Sequence, residues 1–319
     1  MSTTSLVPAL DLAHFISGNP DQKKQFVRDL GNAFSNVGFA CVKNIAVTTS
    51  TIDSFYNSVR DFFNQPTDYK KKFEVPGLAG QRGYTSFGKE QAKGSEAPDL
   101  KEFWQIGQTV EDGDPIKNQY PDNVSIDDNP GFNQYGRDLY KGFEESGKYL
   151  LRAIALYLNL DEFYFDDKIH NGNSILRAIH YPPITQEPKS AIRAEAHEDI
   201  NLITLLVGAS AEGLQLLTMD NQWHEVVAPE GHIVINVGDM LQRLTNNRMV
   251  STTHRVVNPP KEKWMNPRFS IPFFLHPRSD MDLTCLSSCV DEKHPLAYSP
   301  ITAGEYLNER LIEIGLLKK

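Results

Sequence analysis

The sequence predicts a mainly β protein with α elements: a jelly-roll or sandwich core of short strands, an N-terminal α/β region and flanking helices. Three observations carry this. After residue 173, six β-type runs follow one another at 174–181, 200–207, 214–218, 233–237, 251–257 and 269–276, with Asp220-Asn221 as a hairpin turn signal between two of them. Before residue 173, apolar residues recur at helical spacing. Of the 319 residues, 40% are hydrophobic and 23% charged, enough apolar surface for a sizeable buried core.

The elements follow in chain order. The run 7–12 predicts a short strand. Asn19-Pro20-Asp21 marks a helix start, with a capping residue before proline at the first helical position. Phe26, Val27, Leu30, Ala33, Phe34 and Val37 form one face of that helix, and Gly38 ends it. A strand is expected over 39–42. A second amphipathic helix carries Ile52, Phe55, Tyr56, Val59, Phe62 and Phe63 and stops before Pro66. The stretch 76–131, rich in Gly, Pro, Asp and Gln, reads as long loops with little regular structure, and a stretch of that length inside a compact chain points to function. Helices are expected over 132–158 and 302–317. The domain boundaries that follow are 1–115 for the α/β region with its lid loop, 116–172 for a helical connector, 173–290 for the jelly-roll core and 291–319 for the C-terminal helix.

Lys+Arg 32 against Asp+Glu 41 gives a net charge of −9, which disfavours nucleic-acid binding. No apolar run approaches the roughly 18 residues of a membrane helix. The N-terminal stretch has no basic region and no long apolar region, so no signal peptide is expected. Cys41, Cys285 and Cys289 are too few and too scattered for a disulfide framework and read as ordinary thiols. A cytoplasmic monomer or homodimer acting on a small molecule is the expectation.

The chemistry concentrates in three places. His197 and Asp199 are two apart beside a predicted strand, so both side chains reach the same side. His254 lies 55 residues later, a separation a jelly roll can close. Two histidines and one carboxylate form the facial triad of non-haem Fe(II) oxygenases: imidazole suits Fe(II), the carboxylate offsets its charge, and open positions remain for a co-substrate and O2. A His-x-Asp triplet alone is weak. Arg268 and Ser270 strengthen it, since a guanidinium and a hydroxyl on one strand face make a carboxylate clamp. An inward arginine needs an anion, and a bound acidic co-substrate supplies one. His14, His170, His224, His232, His276 and His294 read as surface or satisfied core residues.

In this order the residues resemble the isopenicillin N synthase-like branch of the 2-oxoglutarate/Fe(II) dioxygenase superfamily. The resemblance runs over nearly the whole chain. It rests on Gly38-Phe39, Phe62-Phe63-Asn64-Gln65-Pro66, Arg82-Gly83-Tyr84, Tyr181-Pro182-Pro183, His197-x-Asp199, Gly213-Leu214-Gln215, Asn236-Val237-Gly238-Asp239, His254-Arg255-Val256 and Arg268-x-Ser270. It implies a double-stranded β-helix core and Fe(II) held by His197, Asp199 and His254. It implies 2-oxoglutarate chelated to that iron, with its far carboxylate on Arg268, Ser270 and the Tyr181 hydroxyl. It implies oxidation, most simply hydroxylation, of a small organic substrate by O2 with release of succinate and CO2, and ascorbate as an accessory reductant. Two alternatives stay open: an Fe(II) oxidase of the isopenicillin N synthase type that needs no 2-oxoglutarate, and a non-catalytic barrel that binds a small acid.

Two departures from the pattern stand out. Plant relatives carry an asparagine where this chain has Ile179, leaving His180 or Arg177 to take its place. Glu198, between the first two candidate ligands, is expected to point outward. The stretch 81–107 is the candidate lid, with Tyr84, Phe87, Phe103 and Trp104. Lys89, Lys93 and Lys101 form either a steering patch for an acidic substrate or a solvated face.

Overall fold

The computed structural model describes residues 6–78, 80–89, 99–188, 191–207 and 212–313. Among these described residues, twelve strands form two sheets. In chain order they are β1 (Ala9–Asp11), β2 (Phe39–Lys43), β3 (Gly83–Thr85), β4 (Glu102–Gly107), β5 (Ile175–Tyr181), β6 (Ala194–His197), β7 (Ile203–Val207), β8 (Leu214–Leu217), β9 (Trp223–Glu225), β10 (Ile233–Val237), β11 (His254–Val256) and β12 (Arg268–Leu275). The larger sheet runs β1-β2-β10-β7-β12-β5-β4-β3 and the smaller β6-β11-β8-β9. Every pair is antiparallel except β1 with β2.

The N-terminal helices begin where local chemistry starts them. Asn19 accepts from the backbone of Asp21 and Gln22 while the Gln22 side chain returns a bond to the Asn19 N–H, so Pro20–Asn36 starts on a complete capping box. Thr48 caps Thr49–Phe63, and Asn129 caps the long helix Pro130–Tyr157. The last of these lies against the larger sheet. A Cβ on its Gly147 would sit 2.4 Å from Leu275 Cδ1 of β12, so glycine sets how closely helix and sheet approach. The main core packs between these helices and that sheet.

The expectation of loops over 76–131 is corrected. β3 and β4 lie inside that stretch and extend the larger sheet beyond β5. Every residue of β4 is buried because both of its faces are covered. Trp104 packs edge-on against Phe62 and Phe132, and Tyr84 is buried and bonded to Glu102, so neither is a lid residue. β6 also lies outside the predicted runs, and residues 200–202 belong to a turn rather than to β7. The C-terminal helix is Ala303–Glu313; the remainder of the expected 302–317 segment lies outside the described residues. All three cysteines are buried free thiols.

Candidate active site

The strand ends bring three ligand-type side chains together. His197 closes β6, His254 opens β11, and the two are directly opposed in the antiparallel pair. Asp199 lies in the turn that follows β6. His197 Nε2 is 3.8 Å from Asp199 Oδ1, and His254 Nε2 is 3.9 Å from Asp199 Oδ2. All three donor atoms fall within 4.8 Å of one another, and the described residues hold no other such group. Each Nδ1 faces a backbone carbonyl, Glu195 O at 2.6 Å and Thr252 O at 3.1 Å. A carbonyl only accepts, so Nδ1 carries the proton and the Nε2 lone pair is turned toward the triad.

The electrostatics suit a cation. Desolvation by the protein packed around the ring, although part of the side chain stays exposed, and the second imidazole of His254 hold His197 down to about 4, so it is neutral at pH 7. Burial alone would raise Asp199. His254, His197 and hydrogen bonds from Asn236 and Thr204 outweigh it and hold the carboxyl below its ordinary value. Two imidazole nitrogens and one carboxylate, set on one side, fit Fe(II).

The carboxylate is itself held. Asn201 Nδ2 donates to Thr204 Oγ1 at 2.8 Å, and that hydroxyl donates to Asp199 Oδ2 at 2.6 Å. Asn236 Nδ2 on β10 reaches the same oxygen at 2.8 Å. Asp199 O accepts from the Asp239 N–H at 2.8 Å. Gly238 makes this crossing passable, since a Cβ there would lie 2.1 Å from Asn201 Oδ1. Thr204 and Asn201 escaped the sequence reading; the available signal was a threonine five residues past the aspartate, on the next strand. Glu198 is exposed and accepts from Thr253 Oγ1 at 3.0 Å.

Arg268, Ser270 and Tyr181 also converge. Arg268 and Tyr181 are cross-strand partners on β12 and β5, and Ser270 is two residues along. All three are buried and line one cavity of about 520 Å³ that also reaches the triad. The Arg268 guanidinium lies 5.0 Å from the Tyr181 ring centroid. A second buried arginine, not anticipated from the sequence, approaches the same ring: Arg193 at 5.9 Å. Its Nε is buried without a hydrogen-bond partner, and burial together with Arg268 holds it down to about 10. Two buried guanidiniums thus flank one tyrosine ring, and of the two Arg268 lines the cavity.

The candidates for replacing the absent asparagine separate. Ile179 faces the cavity. His180 faces outward: it stacks on Phe269 with centroids 4.7 Å apart and bonds Glu102 at 2.8 Å, where Lys70 also binds. Arg177 faces inward, with its guanidinium 4.3 Å from the Phe103 centroid and Nε bonded to Gln105 at 3.1 Å. Among the candidate lid residues, Phe103 packs beside Ile179 and Tyr181, and Phe87 is exposed. The lysines form no common patch: Lys89 pairs with Glu74 on the surface, Lys101 pairs with Asp99 in the interior, and Lys93 lies outside the described residues.

His276 corrects the reading of that residue as unremarkable. It is buried, lines the cavity, and its Nδ1 has no hydrogen-bond partner. Burial, with a smaller contribution from Arg177, outweighs the attraction of Asp199 and holds it down to about 4. The unfolded chain therefore binds this proton near 6.5 while the folded chain refuses it. Metal-free protein is expected to lose stability as pH falls from 6.5 toward 4, by roughly 1.4 kcal/mol per pH unit from this group. Urea melts across that range check it: His276→Phe should flatten the slope, and an unchanged slope would show that His276 does not contribute.

The chain belongs to the 2OG-Fe(II) oxygenase superfamily. That family's model matches residues 172–277, and the model described as non-haem dioxygenase in morphine synthesis N-terminal matches residues 7–127. The chain is 32% identical to the 2-oxoglutarate-dependent dioxygenase htyE of Aspergillus rugulosus, covering 94% of this chain and 96% of that protein. It is 31% identical to the proline hydroxylase buaE of Petromyces alliaceus, covering 96% and 99%. Among solved structures, a 2OG-Fe(II) oxygenase family protein from Caulobacter crescentus superposes with a TM-score of 0.88 at 41% identity, covering 98% and 100%. A full-length Neurospora crassa protein in complex with alpha-KG and thymine gives 0.84 at 30%, covering 98% of each chain. The protein is an oxidoreductase, a dioxygenase that depends on Fe(II) and 2-oxoglutarate and takes O2 as co-substrate. No helix among the described residues is long and apolar enough to cross a membrane.

Proposed function

We propose that this chain hydroxylates a small organic substrate, with His197, Asp199 and His254 as the iron ligands and Arg268, Ser270 and Tyr181 as the clamp for the far carboxylate of 2-oxoglutarate. The observation that carries the reading is the convergence of the three donor atoms within 4.8 Å at one wall of the cavity that also holds the clamp. Fe(II) bound there supplies the activation of O2 that drives oxidative decarboxylation of 2-oxoglutarate to succinate and CO2. The chain's residues supply position and dryness. The two Nδ1–H bonds to backbone carbonyls fix the imidazole planes, and the Thr204 and Asn236 bonds fix the carboxylate. Arg268 and the Ser270 hydroxyl orient the co-substrate, while Arg193 adds a second positive field at that end. Arg177, two residues before Ile179 on the same inward face of β5, takes the place of the missing asparagine. Hydroxylation is favoured among the possible oxidations by the relatives, one of which is a proline hydroxylase. The net charge of −9 supports a small-molecule substrate rather than a nucleic acid.

The test is an anaerobic titration of metal-free protein with Fe(II) and then 2-oxoglutarate, followed in the visible range. A saturating metal-to-ligand charge-transfer band is expected, and aerobic turnover should yield succinate. Iron bound without a band would overturn the assignment of the clamp. Asn236→Ala removes one of the two side-chain donors to Asp199 and should weaken Fe(II) binding by about 10–100-fold. The same titration reads it, and unaltered affinity would show that Asn236 does not hold the carboxylate.

A further inference from the structure

The cavity has a second polar end that the co-substrate reading leaves unused. Along β12 the inward positions run Arg268, Ser270, Pro272, Phe274 and continue to His276, two residues on each time. Along β5 they run Tyr181, Ile179, Arg177, Ile175 and continue to Asn173. The two strands are antiparallel, and their pairing continues past the strand ends. The His276 N–H donates to Ser174 Oγ at 3.1 Å, that hydroxyl reaches His276 O at 3.3 Å, and the Asn173 N–H donates to Pro277 O at 3.1 Å. Arg268 with Tyr181 and His276 with Asn173 therefore mark opposite ends of one wall.

Both residues at the second end have unmet hydrogen-bonding capacity. His276 is 8% exposed, and its Nδ1 has no partner; Asn173 Oδ1 is likewise buried and unpartnered. Orphaned buried polar atoms are rare, and each costs free energy until something satisfies it. Gln105 of β4, which also lines the cavity, is already committed, since it accepts from Arg177 and donates to Gly80 O. A carboxamide offers one donor and one acceptor side by side. Its complement is a group presenting an acceptor and an N–H together, a cis-amide edge. A carboxylate cannot satisfy Asn173 Oδ1, because it has no proton to give.

We infer that Asn173 and His276 form a substrate subsite that selects small cyclic amides, lactams or imides, by pairing with the ring's N–H and C=O edge. The inference rests on the reading of this cavity as the dioxygenase's substrate site. It places the polar edge of the substrate at the Asn173 end and an aliphatic part of the ring toward the triad.

The test uses three probes, 2-piperidone, N-methyl-2-piperidone and cyclohexanecarboxylate, bound to the anaerobic Fe(II)–2-oxoglutarate protein and followed by ligand-observed NMR. The lactam is expected to bind at least about tenfold more tightly than its N-methyl analogue, which lacks the proton for Oδ1. Asn173→Leu should erase that preference, and His276→Phe should lower lactam affinity severalfold. Equal binding of lactam and N-methyl lactam would overturn the subsite, as would tighter binding of the carboxylate. A preference that survives Asn173→Leu would place the recognition elsewhere and overturn it too. If Asn173→Leu does not fold, the wild-type preference and the His276→Phe result decide the question. The outcomes separate from those of the function itself: lack of the charge-transfer band counts against the co-substrate reading, whereas a normal band with no lactam preference counts only against the subsite.

Discussion

Replacing His197 with alanine should leave a folded protein that neither holds Fe(II) nor forms succinate above background. The variant removes one of three proposed donors, so the loss of metal affinity should exceed the roughly 10–100-fold that outer hydrogen-bond partners control. The fold should survive because the His197 side chain is 39% exposed and the truncation opens no sealed void. Iron content after desalting, succinate yield and the melting curve of the metal-free protein check the three parts separately. Retained iron with retained turnover would remove His197 from the site, whereas lost turnover with a collapsed melt would mean a structural role.

Arg268→Ala should give the second largest effect, and a different one. Arg268 is 1% exposed and lines the same cavity as the proposed ligands, on β12 rather than on the strands that carry the two histidines. Truncating one member of a buried charge pair costs about 2–5 kcal/mol. That corresponds to an increase of roughly 30- to 4,000-fold in the 2-oxoglutarate dissociation constant, with Fe(II) affinity little changed. Arg268→Lys should recover part of the loss, because an ammonium keeps the charge but not the two-pronged geometry. The concentration at which the charge-transfer band half-saturates reads both variants. An unaltered 2-oxoglutarate requirement in Arg268→Ala would move the clamp elsewhere, with Arg193 as the neighbouring cation.

What the sequence disclosed depended on how locally each feature is encoded. His-x-Asp and Arg-x-Ser are short-range spacings; the alternation of β12 puts Arg268 and Ser270 on one face, whereas Asp199 reaches His197 from the turn after β6. The helix start at Asn19-Pro20 was legible for the same reason. β4 was not legible. Its six residues are buried on both faces, so its pattern does not alternate, and Glu102 and Gln105 give it the look of a loop. The Glu102 charge is met by Lys70 and His180, 32 and 78 residues away, which no local reading finds. β6 reads Ala-Glu-Ala-His, a poor strand former that tertiary pairing with β11 overrides. His276 carried a recoverable signal, because stepping by two from Arg268 arrives at it. Arg193 carried none, since its burial beside Arg268 depends on how the two sheets meet.

The opposition of His197 and His254 across β6 and β11 also has a mechanical consequence. β6 is an edge strand of the smaller sheet and only four residues long. An ion ligated from both strands ties that edge to its neighbour as a cross-strand rivet. On the proposed ligand set, metal occupancy and closure of the sheet edge are one linked equilibrium. β6 is already paired with β11 through their backbones, so an ion held there would favour that paired edge over a frayed one. The larger sheet supplies none of the proposed ligands, so the place of Arg268 on β12 is set by its pairing with β5 and β7 and not by that edge.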